Sequence, residues 1–263
     1  MRALSIAATG MLAQQTNVEV IANNLANMNT AGYKRQRAEF QDLLYQNVEQ
    51  AGAQSSDSGT IVPSGIQLGA GVRTAAVYRV TSQGDMQSTS NPYDLAVQGP
   101  GYFHIQQPDG TDAYTRAGNF ALSPEGQIVT DKGYTVAPGI AVPANALTVT
   151  VNAQGQVQAS IAGQTAPQTL GQLELVRFPN EAGLQAQGDN LFLETASSGS
   201  PQSGLPGSSG YGTIQQGFLE TANVNPVEEM TSLISAQRAY EMNSKVVTAA
   251  DDMLQMTARM GGG

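Results

Sequence analysis

The sequence predicts an α+β chain in which long N- and C-terminal helices, packed as a coiled coil, bracket an all-β middle domain with an extended arm. Three observations carry this reading. Both ends repeat apolar residues every seven positions. Glycine and proline, which interrupt helices, are nearly confined to the middle: only Gly10 and Gly32 precede Gly52, no glycine lies between Phe218 and Met260, and every proline except Pro226 falls between Pro63 and Pro206. From Asn91 onward, turn signals recur about every ten residues, the rhythm of short strands.

The first helix is expected over residues 3–28. Leu4, Met11, Val18 and Leu25 are spaced by seven, and Ala7, Gln14, Ile21 and Met28 follow each by three. Glu19 is the only charge between Ala3 and Met28, so the outer face carries Ser, Thr, Gln and Asn where a solvated helix normally carries charge. Two readings stay open. The helix packs with the C-terminal helix and with further copies of the pair, or the two helices form an ordinary layer over a sheet within one monomer. Eight of the nine methionines fall in the terminal segments, and methionine adapts to contacts that recur in different settings.

The helix ends at Asn23-Asn24-Leu25-Ala26-Asn27, where Asn side chains satisfy free backbone groups and Gly32 takes a left-handed turn. Residues 33–45 read as a short helix or an extended arm. Residues 46–75 are rich in Gln, Ser and Gly and read as a long loop, a length that is usually functional or disordered. The Gly69-Ala70-Gly71 triplet lacks the strand-turn-helix context of a phosphate-binding loop. Residues 72–80 alternate as a strand does.

Between Asn91 and about Ala137, strands are separated by Gly99-Pro100-Gly101, Pro108-Asp109-Gly110, Ala117-Gly118, Ser123-Pro124-Glu125-Gly126 and Asp131-Lys132-Gly133. Proline presets φ, glycine supplies positive φ and aspartate bonds its own backbone, so each is a turn with a cause. Strands continue through 147–151, 156–161 and 173–178, with 191–193 closing the domain and 197–212 as an exit linker. The last helix is cued from Thr221, becomes periodic at Met230 and runs to Met260. Asn225 caps it, Pro226 occupies the first turn, and Leu233, Tyr240, Val247 and Leu254 repeat by seven with Ala236, Ala250 and Met253 beside them. Glu241 and Lys245 are spaced to pair along the surface. The expected organisation is a helical domain of residues 1–34 with 221–263, a connecting arm of 35–90, and a β-rich domain of 91–220.

Composition excludes several function classes. The 263 residues carry a formal net charge of −9, unsuited to nucleic acid or anionic membranes. No run of 18 apolar residues suggests a bilayer span. Cysteine is absent, which removes disulfides and thiolate metal sites. His104 is the only histidine, and a transition-metal site or a histidine-based triad has little else to draw on. The carboxylate pairs Asp109/Asp112, Glu228/Glu229 and Asp251/Asp252 have structural readings as turn, cap and solvated-face residues. Tyr114-Thr115-Arg116 reads as cross-strand pairing or as a ligand contact. No catalytic, cofactor-binding or metal residue is assigned. The start, Arg2-Ala3-Leu4, is only faintly like a signal peptide, because Ser5, Thr9 and Gly10 interrupt its apolar core.

Three separated blocks resemble the rod and hook axial proteins of the bacterial flagellar basal body. Asn23, Asn24 and Asn27 through Thr30, Gly32, Tyr33, Lys34 and Arg35 match the family's N-terminal motif. Asn223, Asn225, Pro226, Glu229 and Met230, with Gln237, Arg238, Ala239, Tyr240 and Glu241, match its C-terminal motif. Asp94-Leu95-Ala96-Val97 with Gly99, Gly101, Tyr102 and Phe103, then Tyr114-Thr115-Arg116 and Gly118, match the shared core. The segment 46–73 is similar to that of the distal-rod branch. The resemblance implies a structural subunit that is not an enzyme and needs no cofactor. It implies export without a cleaved signal and helical stacking into a hollow shaft across the periplasm that transmits torque from motor to hook. Implied partners are copies of the chain, proximal rod subunits, hook or hook-junction proteins and the surrounding ring proteins, with no nucleic acid and no membrane insertion. Assembly would use Leu4, Met11, Val18, Ile21, Leu25, Leu233, Gln237, Tyr240, Val247 and Leu254. Alternatives are a proximal rod or hook subunit, a secreted oligomeric β-domain binding module, and a wall-active glycan hydrolase.

Overall fold

The computed structural model describes residues 2–49, 65–164 and 166–261. They fall into two compact units. One holds the described residues of Met1–Leu25, Gln36–Tyr78 and Asn225–Gly263; the other holds Ala26–Arg35 and Arg79–Val224. Helices α1 (Arg2–Ala26) and α2 (Pro226–Gly261) bracket a β-rich middle, so the chain is α+β.

In the first unit the helices run antiparallel. Gly10 faces Asn243, Val18 and Glu19 share a groove with Tyr240 and Glu241, and the Asn24 Nδ2 donates to Glu229 Oε2 at 3.2 Å. Numbers rise along one helix as they fall along the other. The line of closest approach on α2 is Glu229, Ala236, Asn243 and Ala250, spaced by seven, with Glu229, Ala236 and Ala250 buried. Small residues at a helix contact let the backbones come close. Gly10 is one of them: a Cβ there would stand 2.9 Å from the Asn243 amide nitrogen. The 36 residues of α2 outrun the 25 of α1, and residues 251–260 are all exposed.

Both helix ends differ slightly from expectation. Helix α1 stops two residues before Met28, where the Thr30 N–H donates to the Asn27 carbonyl at 3.0 Å. Helix α2 starts five residues after Thr221, because the flanking residues are engaged elsewhere: the Thr221 N–H donates to the Asp85 carbonyl at 2.8 Å, and the Asn223 amide donates to the carbonyls of Val80 and Ser82 at 2.9 Å each. Asn225 is the cap, its Oδ1 accepting from the Val227 N–H at 3.1 Å.

The 33–45 segment resolves as extended: β1 (Gln36–Asp42) pairs with β4 (Val72–Arg79). Beyond it β2 (Tyr45–Glu49) pairs antiparallel with β3 (Ile66–Gly69), Tyr45 opposite Gly69. The 46–75 loop reading is thus corrected at both flanks, where backbone pairing turns a polar segment into a ribbon. Residues 50–64 of the predicted arm lie outside the described residues. The ribbon is fastened to α1 at two points. Asn24 bridges Gln36, donating to its carbonyl and accepting from its N–H, both at 2.8 Å. The Val72 N–H donates to Thr9 Oγ1 at 3.3 Å, next to Gly71 at φ 117°.

The second unit is built from short strands. They are β5 (Met86–Ser88), β6 (Leu95–Gln98), β7 (Tyr102–Gln106), β8 (Asp112–Thr115), β9 (Ala121–Leu122), β10 (Ile128–Val129) and β11 (Thr135–Val136). After them come β12 (Ala146–Val151), β13 (Gln156–Ile161), β14 (Gln168–Gln172) and β15 (Leu175–Arg177). The last are β16 (Gln185–Gly188), β17 (Leu191–Leu193), β18 (Gln202–Gly204), β19 (Thr213–Gln216) and β20 (Phe218–Glu220). The main sheet follows the order β16-β17-β8-β7-β11-β10-β9, with β15 and β18 off the free part of β7. Strands β12, β13 and β14 form a second sheet.

Side chains alternate across β7 and β8 and so feed two cores. Phe103 and Ile105 enter a cluster with Leu95, Val97, Phe120 and Val157; Tyr102 and Tyr114 enter another with Val176, Phe178, Leu184 and Phe192. The domain does not close at 191–193. Strand β18 lies in the predicted linker, β19 pairs with β6, and β20 pairs with β5. These strands are three or four residues long with no apolar stretch beyond Phe218-Leu219, and partners distant in sequence supply their order.

Candidate assembly surface

The helical pair brings three of the ten predicted assembly residues to one groove. Val18, Gln237 and Tyr240, with Gln15, Glu19 and Glu241, line an open groove of about 340 Å³. Ile21 is buried, and Leu4, Met11, Leu25, Leu233 and Val247 are half-buried. Tyr240 is 44% exposed and Leu254 37%. Leu254 lies on the part of α2 that α1 does not reach.

The rest of α2 presents far more apolar surface than one chain covers. Val227, Met230, Ile234, Met242, Val246, Met253, Met256 and Met260 are all exposed, as is Leu12 on α1. Scattered exposed apolar residues are ordinary; a helix lined with them marks an interaction surface. The ribbon adds Leu44, 88% exposed, with Tyr45, Val48, Ile66 and Leu68.

The motif residues divide into two groups. In the helical unit, Asn24 joins α1 to the ribbon and to Glu229, Asn225 caps α2, and Asn23, Arg238 and Glu241 are exposed. In the β unit, Gly32 holds φ 68°, and its N–H donates to the Glu220 carbonyl at 2.8 Å. A Cβ on Gly32 would stand 2.5 Å from the Ala117 nitrogen. Tyr33 donates its N–H to the Thr30 carbonyl, continuing the Asn27–Thr30 turn.

Next to that turn sits a buried charge cluster. Glu220, with no exposed side-chain surface, pairs with Lys34 Nζ at 2.5 Å and with Arg116 Nε at 2.6 Å, and accepts from the Gly84 N–H at 3.0 Å. The remaining Arg116 donors go to the carbonyls of Gly101, Val97 and Gly99. Lys34 also donates to the Ser82 carbonyl at 2.9 Å. Burial alone would raise the Glu220 carboxyl; Arg116 and then Lys34 outweigh it and hold it below the usual range. Burial lowers the Lys34 ammonium against the pull of Glu220. Tyr102, beside the cluster, is raised by burial and by Glu181, whose carboxylate accepts its hydroxyl at 3.2 Å.

The ligand alternative for Tyr114-Thr115-Arg116 therefore gives way to packing, pairing and a buried salt bridge. Glu220 carries no sequence signal, and Glu229, read from the sequence as a cap and motif residue, is instead buried against Asn24. A sequence signal exists for Glu229 alone: it stands seven residues before Ala236 on the seam.

Other candidate chemistry has structural work. His104 Nε2 lies 2.8 Å from Asp112 Oδ1 and its ring stacks on Tyr114. Asp109 accepts from the Thr111 N–H and hydroxyl within its turn, which lowers its pKa. Among the described residues, no group of three or more His, Cys, Asp or Glu is placed to hold a metal, and no helix is long and apolar enough to cross a membrane.

Comparison with known proteins agrees with this layout. Residues 4–34 match the flagella basal body rod protein family, 96–159 the D1 domain of flagellar hook protein FlgE/F/G, and 215–260 the C-terminal region of flagellar basal body rod FlgEFG protein. Over 260 residues the chain is 58% identical to the flagellar basal-body rod protein FlgG of Caulobacter vibrioides, with 99% of each chain covered. It is 50% identical over 259 residues to the FlgG of Agrobacterium fabrum, covering 98% of this chain and 99% of the relative. It is 48% identical over 256 residues to that of Borreliella burgdorferi, covering 97% and 96%. The chain belongs to the flagellar basal-body rod protein family.

Proposed function

We propose that this chain is a structural subunit of the distal rod of the flagellar basal body and turns over no substrate. Copies stack helically into a hollow, rigid shaft that carries torque from motor to hook across the periplasm. The observation that carries this is the end-to-end similarity to rod proteins, 58% identity with 99% of each chain covered. The exposed apolar faces of α2 support it, because they need a partner surface that repeats. In this reading residues 1–34 and 221–263 line the tube, 35–90 connect, and 91–220 face outward. The neighbours are copies of the chain, proximal rod subunits, hook or hook-junction proteins and the surrounding rings. The subunit reaches its place by export without a cleaved signal peptide.

The test is basal bodies purified from cells that carry an epitope-tagged copy, imaged with a gold-labelled antibody. Label along the rod, below the hook, is expected, together with an intact mass of the chain that includes its first residues. Label confined to the hook would favour a hook subunit.

A further inference from the structure

The assembly reading leaves open which surface meets which, and the helical unit contains one complementary pair of patches. The first is the groove of about 340 Å³ between α1 and α2, in which Val18 and Tyr240 supply apolar wall and Glu19 and Glu241 supply two carboxylates. The second is a ridge on α2. Ile234, Arg238, Met242 and Val246 are spaced by four, so they form one row along the helix, the row that fills a groove when helices pack. All four are exposed, Met242 at 61%. Arg238 makes no hydrogen bond or ion pair among the described residues. The ridge is apolar except for one cation; the groove joins the apolar wall of Val18 and Tyr240 to two amides, Gln15 and Gln237, and two anions, Glu19 and Glu241.

We propose that the groove seats the Ile234–Arg238–Met242–Val246 ridge of a second copy of the chain. Met242 packs on Val18 and Tyr240, and Arg238 reaches Glu19 and Glu241. This rests on the assembly reading and names the contact within it. By helix geometry of about 100° per residue, ridge and groove lie roughly a third of a turn apart around α2. They are therefore different patches, and the contact is heterologous. Each copy offers one free groove and one free ridge, so addition continues without closing on a dimer. Alternatives that bury the ridge on itself give an isologous pair that stops at two.

The charges make the contact testable by exchange. Arg238→Glu sets a carboxylate against two others, and Glu19→Arg sets a cation against Arg238; neither residue is part of the buried helix seam. Each variant alone is expected to give at least about tenfold less sedimentable polymer than the parent at the same concentration. Mixing the two in equal amounts is expected to restore polymer to within about twofold, because each variant's altered patch then meets the other's altered patch and its native patch the other's native patch. Both variants polymerising like the parent overturns the contact and leaves the assembly reading standing. Single variants that fail and are not rescued by mixing also overturn it, since the groove then takes another occupant. A parent chain that stays monomeric at every concentration overturns the assembly reading itself.

Discussion

Replacing Glu220 with glutamine removes one negative charge from a fully buried position in the β unit and changes almost nothing in shape. The carboxylate stands 2.5 Å from Lys34 and 2.6 Å from Arg116 with no exposed side-chain surface. Glu220→Gln leaves both cations buried with no counter-charge between them. Breaking a buried pair by removing one partner costs about 3–5 kcal/mol. For a chain of this size each kcal/mol shifts the melting temperature by about 2–4 °C, so a fall of about 10 °C is expected. The pH dependence follows from the carboxyl being held below its ordinary value in the folded state. Stability from such a group is present above the unfolded pKa, about 4.3, and is lost as pH falls through the lower folded value. The gap between parent and variant is therefore full at pH 7 and shrinks below about pH 4. Thermal melts followed by circular dichroism at several pH values read this directly, with the exposed Glu125→Gln as the control. A variant melting within about 2 °C of the parent at pH 7 would show that the buried cluster does not carry this stability, as would a gap that does not narrow in acid.

Three further outcomes are expected. Gly32→Ala requires positive φ of a side chain that meets the Ala117 backbone nitrogen at 2.5 Å, and should destabilise the β unit by about 1–3 kcal/mol in urea melts. Asn225→Ala removes the cap on α2 and should cost about 1 kcal/mol, read as earlier loss of helical signal on heating. Deleting 46–61 removes the outer part of the ribbon and the segment beyond it, and the assembled shaft should then bend more, as measured by curvature of filaments in micrographs; an unchanged stiffness counts against a bridging role for the arm.

The helical ends were legible because their seven-residue spacing survives in the structure as an antiparallel pair, and the turn signals from Gly99 to Gly133 mark real strand breaks. What could not be read locally was order imposed from far along the chain. Strand β2 is polar and becomes a strand only because 66–69 returns beside it. Strands β19 and β20 have no apolar stretch beyond Phe218-Leu219 and are held by β6 and β5, more than 100 positions earlier in the sequence. The same holds for the charge cluster. Lys34 and Arg116 stand within recognisable motifs, yet their common partner Glu220 follows the ordinary dipeptide Phe218-Leu219 and carries no pattern. Spacing also could not separate the two uses of the α2 surface: Ala236 and Ala250 pack within the chain, whereas Tyr240 and Leu254, on the same predicted seam, remain exposed.

On the proposed function the terminal helices are the assembly surface. An electron cryomicroscopy map of the polymerised chain tests it most directly. The expected map is a helical tube whose innermost layer is α1 and α2 from successive copies. A closed oligomer of a few copies, or a tube lined by the β unit with α2 facing solvent, would contradict it.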